Sequence, residues 1–109
     1  MMSVSVTSKI AFNLPGMESF NIKISYGTNE VTLTILPTDN GYYKVIYYGG
    51  ILGSVYHDGN DWEAVLPENL EAGDLPFYEP GRPGERIEVE LTDHVVDRIG
   101  WEISLHQSQ

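Results

Sequence analysis

The chain has 109 residues, 41% of them hydrophobic, with 16 acidic side chains against 6 basic ones, a formal net charge of −10 and no cysteine. That length predicts a single domain over residues 1–109, large enough to bury a core without staples. The absence of thiols excludes disulfides, thiolate nucleophiles and cysteine-ligated metals. The charge leaves no basic patch, so neither nucleic acid nor an anionic membrane is an expected partner.

The first residues, MMSVSVTSKIAFNLPG, have neither the basic n-region nor the apolar h-region of a secretory leader. No apolar run approaches the roughly 18 residues of a membrane helix. The expected location is the cytoplasm. Within this stretch Val4, Val6, Ile10 and Phe12 alternate with polar residues, which predicts a strand over 3–12. Asn13-Leu14-Pro15-Gly16 breaks it. Phe20, Ile22, Ile24 and Tyr26 alternate in a second strand. After Gly27-Thr28-Asn29, Val31, Leu33 and Ile35 mark a third. Pro37 to Gly41 is the next turn.

Residues 40–66, NGYYKVIYYGGILGSVYHDGNDWEAVL, read as three strands joined by tight turns. A two-residue turn at Gly49-Gly50 would set Tyr48 opposite Ile51 and Ile46 opposite Gly53. The following turn lies within His57–Asp61. One face would then carry Ile46, Tyr48, Ile51, Val55, Trp62 and Ala64, the better core candidate. The other would carry Tyr43, Val45, Tyr47, Leu52, Tyr56 and Glu63. An odd-length loop would scramble this assignment, because each one-residue slip reverses every side chain.

Residues 66–85 hold four prolines and three glycines and read as loop, with one helical turn over Pro67–Ala72. Residues 86–91, RIEVEL, restore alternation and predict a last strand with Ile87, Val89 and Leu91 inward. The period then changes. Val95, Val96, Ile99 and Ile103 recur at helical spacing, Thr92 is placed to cap the helix, and Leu91 could staple onto Val96. Gly100 either ends the helix early or lets it pack closely on the sheet. The expected fold class is α+β: an antiparallel β-sheet of about six strands, a meander of hairpins, with one C-terminal α-helix on one face.

Chemical motifs are sparse. GGILG at 49–53 joins two strands instead of opening a helix, so it is a hairpin turn and not a phosphate loop. HDGNDWE at 57–63 clusters a histidine with carboxylates, but Trp62 stands where a calcium ligand belongs and the residues suit a turn. Asp93, His94 and Asp97 could present two ligands, yet acidic residues at a helix start complement its dipole. Neither His57 nor His106 has a catalytic partner in the sequence. No cofactor and no metal site is expected.

The tyrosines remain. Tyrosine covers apolar surface and keeps a polar tip, which suits interfaces. One helix covers one sheet face, so the other needs water, a loop or a partner. The candidate binding residues are Tyr43, Tyr47, Leu52 and Tyr56, with Phe77 and Tyr78 from the loop as partners or as the cover. The expected function is a small, soluble, acidic, non-enzymatic binding or assembly domain whose partner is a protein, most simply a second copy in a homodimer. Two alternatives stand beside it. One is an acidic inhibitor or immunity-type protein neutralising a basic target, prompted by seven acidic residues and no basic one between Lys44 and Arg82. The other is a small-ligand or metal-dependent enzyme using His94 or His57.

Overall fold

The computed structural model describes residues 18–38, 41–67, 70 and 75–107. Five strands, β1 (Phe20–Tyr26), β2 (Asn29–Pro37), β3 (Tyr43–Tyr47), β4 (Gly50–His57) and β5 (Trp62–Val65), precede a helix α1 (Asp93–Gln107). The strands form one antiparallel sheet in sequence order, β1-β2-β3-β4-β5. The fold is α+β, with five strands among the described residues where about six were expected. The strand expected at 3–12 lies outside the described residues, as does most of the turn expected at 67–72.

Alternation builds the core. Ile22 and Ile24 of β1 pair with Leu33 and Val31 of β2, and Ile35 pairs with Val45 of β3, so these side chains share one face. All of them are buried, together with Val55, Val95, Val96, Ile99 and Ile103. The intervening Asn21, Lys23, Ser25 and Thr32 are exposed on the other face. Helix α1 lies across the core face. Its first turn is anchored by Thr92, whose Oγ1 accepts from Val95 N at 3.3 Å and whose carbonyl accepts from Val96 N at 2.8 Å. Val95 N is one of the orphan donors of a helix start, which a cap side chain satisfies, and the Val96 bond is the first of the helix ladder.

Gly100 does not end the helix. A Cβ there would fall onto the ring of Trp62, so the residue lets α1 close on β5. Replacing it with alanine gains roughly 1 kcal/mol of helix propensity but overpacks a closed contact, at about 1–3 kcal/mol. Gly100→Ala should therefore lower the denaturant midpoint. A raised midpoint would show that Trp62 yields freely.

The β3–β4 hairpin differs from expectation in two steps. Its turn is Tyr48-Gly49, with φ of 49° and 77°, closed by Tyr47 opposite Gly50. Positive φ at both positions is the type I′ turn whose twist matches a hairpin. This moves the register by two residues and leaves Ile46 opposite Ile51. Leu52 then bulges, and Val45 faces Gly53, one residue further. The bulge reverses parity. Val45 and Tyr47 thus join Val55, Trp62 and Ala64 on the helix side, whereas Ile46 lies half-buried on the other face. Tyr48, expected in the core, is 66% exposed.

Residues 86–91 form no strand. The expected alternation is present, with Val89 buried, Ile87 and Leu91 half-buried and Glu88 and Glu90 exposed. The backbone is held instead by side chains: Tyr47 Oη donates to Ile87 O at 2.6 Å, and Glu90 N donates to Tyr26 Oη at 3.1 Å. The segment is a strap over the core edge. Residues 76–78 close another edge. Ile51 N donates to Pro76 O at 2.9 Å and Tyr78 N to Ile51 O at 3.0 Å, a parallel bridge on β4 beyond the end of β5. Gly50 permits it, since a Cβ there would lie 2.5 Å from Tyr78 Cα.

Candidate functional site

The expected binding residues do not share a surface. Tyr47 and Leu52 are buried in the core. Tyr43 sits half-buried under the helix end, its ring 5.8 Å from Trp62 and its hydroxyl accepting from Gln107 Nε2 at 2.7 Å. Tyr56 lies on the opposite face, 4.9 Å from Tyr42. The bulge at Leu52 is the physical reason: it turns β3 over relative to the end of β4. Phe77 is half-buried at the β4 bridge, and Tyr78 packs at 5.4 Å from Tyr47, so the loop does cover one of the tyrosines.

The structure gathers a different group at the hairpin tip. Tyr48 stands edge-on to Tyr47, with centroids 4.7 Å apart. The Arg86 guanidinium lies 4.2 Å from the centre of the Tyr48 ring and 5.8 Å from that of Tyr78. Arg86 Nη2 donates to Glu85 Oε1 at 2.7 Å. Arg86 Nε is buried with no hydrogen-bond partner among the described residues, close against Gly81, where a Cβ would lie 2.6 Å from it. Below, Glu88 accepts from the Tyr78 hydroxyl at 2.6 Å and from Gly81 N at 3.0 Å.

Electrostatics follow from this packing. Burial, and then the neighbouring Tyr48 and Glu88, push the Tyr47 hydroxyl above its ordinary pKa. Burial and the bond to Glu88 do the same for Tyr78. Both phenols act as neutral donors. Arg86 holds the Glu85 carboxyl below its usual range, chiefly through their hydrogen bond. The arrangement supplies a fixed cation framed by two aromatic rings, which is equipment for recognition.

A groove of 540 Å³ opens beside this corner, lined by Glu30, Val31 and Thr32 of β2, by Tyr47 and Tyr48, and by Arg86 and Ile87 of the strap. β2 is nine residues long but pairs with β3 only over Thr34–Pro37. The remainder of β2 borders the groove.

The other candidates fare differently. The Asp58 carboxylate is engaged by its own loop, accepting from Asn60 N and Asp61 N at 2.8 Å each, and these bonds lower its pKa. His57 accepts from Gly59 N at 3.1 Å and stands edge-on to Trp62. His106 stacks on Phe20 with centroids 3.7 Å apart. Among the described residues no group of three His, Asp or Glu side chains converges as metal ligands would. Of the seven acidic residues of the unbroken stretch, Glu68, Glu71 and Asp74 lie outside the described residues.

Compared with protein-family models, with curated proteins and with solved structures, the chain matches none. Function therefore rests on the chain's own geometry.

Sequence reading missed Tyr48 and Arg86. The Gly49-Gly50 pair draws the expected turn one residue too far along, which puts Tyr48 in the expected core. Arg86 was placed at the start of a strand. The available signal was the Tyr-Gly pair inside a run of apolar residues, and it is weak, because asparagine or glycine is the usual first residue of such a turn.

Proposed function

We propose that the chain is an acidic, non-enzymatic binding and assembly domain that engages protein through the corner around Tyr48, a second copy being the simplest partner. The observation that carries this reading is Tyr48 itself. A bulky residue at φ 49° costs roughly 1–2 kcal/mol, and here it holds an aromatic ring two-thirds exposed over an arginine. Strain of this kind concentrates at functional sites. Tyrosine and arginine are the side chains that most often anchor protein interfaces. The net charge of −10 opposes self-association in general, and Arg86 is paired with Glu85 within the chain, so the attraction at this corner rests on the exposed ring and the cation it covers.

Tyr48→Asn separates fold from function. Asparagine tolerates the left-handed region, so the variant should unfold at an equal or slightly higher denaturant concentration. Light scattering over a concentration series should give dimer mass for the wild type and monomer mass for the variant. A wild type that stays monomeric at high concentration removes self-association. A dimer untouched by the substitution removes this corner from it.

A further inference from the structure

The free part of β2 has a definite hydrogen-bonding direction. The β1–β2 hairpin is closed by Tyr26 opposite Asn29, a hydrogen-bonded pair across a two-residue turn. Ladder bonds then alternate, so Val31 and Leu33 bond to β1, whereas the N–H and C=O of Glu30 and Thr32 point to the β3 side. β3 ends at Tyr47 and turns away at Tyr48, and residues 30 and 32 have no ladder partner on that side among the described residues. These backbone groups face the groove, whose far wall is Arg86 and Ile87.

We propose that this groove binds the C-terminal tail of a partner protein as an added strand alongside Glu30–Leu33, with the tail's terminal carboxylate at Arg86. The proposal rests on the reading of the Tyr48 corner as a protein-binding surface and names what that surface accepts. Unpaired, regularly spaced main-chain donors and acceptors are matched by an extended peptide, and main-chain bonding supplies affinity in strand addition. A strand parallel to β2 has its C-terminal end beside Tyr47 and Tyr48, where the guanidinium lies. Arginine suits a carboxylate, and among the hydrogen bonds of the described residues the guanidinium gives only its Nη2, to Glu85, while Arg86 lines the groove. Glu30, at the other end of the groove, favours a basic residue upstream in the tail.

The probes are an acetylated Lys-Val-Thr-Val peptide with a free carboxylate and the same peptide as its C-terminal amide, each titrated into isotope-labelled protein and followed by amide chemical shifts. The expected result is shifts confined to Glu30–Leu33, Tyr47–Gly49 and Arg86–Ile87. The carboxylate form should bind about tenfold more tightly, the value of one charge-assisted bond. Arg86→Gln should abolish the difference. Arg86 also holds its own loop, so Thr32→Pro provides a second arm. It deletes an N–H facing the groove while leaving the β1 ladder and the guanidinium intact, and it should abolish binding of both peptides. Absence of shifts at millimolar peptide, equal affinity for the two forms, or shifts along the outer edge of β1 would overturn the proposal. A tail that binds to a protein of monomer mass would sustain it while removing self-association. A dimer that takes no tail would do the reverse.

Discussion

Ile99→Ala should lower the free energy of unfolding by about 2–5 kcal/mol, the range for emptying a fully buried aliphatic site. Ile99 has no exposed surface and packs with Val95, Val96 and Ile103 of α1 on the strands below. The helix is pinned on both sides of this residue, by the Thr92 cap at its start and by the contact of Gly100 with Trp62. Neither lets it slide to fill the cavity, which places the loss in the upper part of that range. Equilibrium denaturation in urea measures it. A loss below about 0.5 kcal/mol, typical of surface substitutions, would mean that α1 does not close the core.

Tyr47→Asp should abolish folding instead of dissolving an interface. The side chain is 5% exposed, so the substitution buries a carboxylate on a short stem, and the neighbouring cation, Arg86, is already paired with Glu85. It also leaves the Ile87 carbonyl without the hydroxyl that now donates to it at 2.6 Å. An unpaired buried charge costs about 3–5 kcal/mol, a large part of the stability of a domain this size. Burial raises the pKa of the new carboxyl in the folded state, so the damage is greatest at neutral pH and lessens as pH falls through that raised value. Tyr47→Phe is the control. It keeps the ring and removes only the donor, and it should cost about 1–3 kcal/mol. A Tyr47→Asp protein that folds with wild-type stability and changes only its mass in solution would restore Tyr47 to the surface.

The elements most legible in the sequence were those set by local chemistry. Period-two alternation located β1 and β2 and chose their buried faces, because a strand's facing depends only on its own residues once one side meets a core. Thr92 and the spacing of Val95, Val96, Ile99 and Ile103 located α1, because capping and helical periodicity act within two turns. Alternation also identified the buried side of residues 86–91, but not their state. Which side of a segment is apolar says nothing about whether a ladder partner exists, and here tyrosine hydroxyls take the partner's place.

The candidate site was the least legible part. Tyr43, Tyr47 and Tyr56 were read onto one face on the assumption of an unbroken register from β3 to β4. One extra residue at Leu52 reversed it, and the one local signal in ILGSV, the strand-interior Gly53, marks a bulge or a close approach without saying which. Tyr48 and Arg86 are 38 positions apart by number, and nothing local to either signals the other. Their meeting depends on where residues 76–91 cross the sheet, on the close approach at Gly50 and on the guanidinium nested against Gly81. The sequence by itself determined β1, β2, α1 and their buried faces, because each follows from neighbours along the chain. Only the tertiary structure decided which tyrosine is exposed, which cation accompanies it and which strand edge stays open, because those follow from a single register shift and from contacts between distant segments.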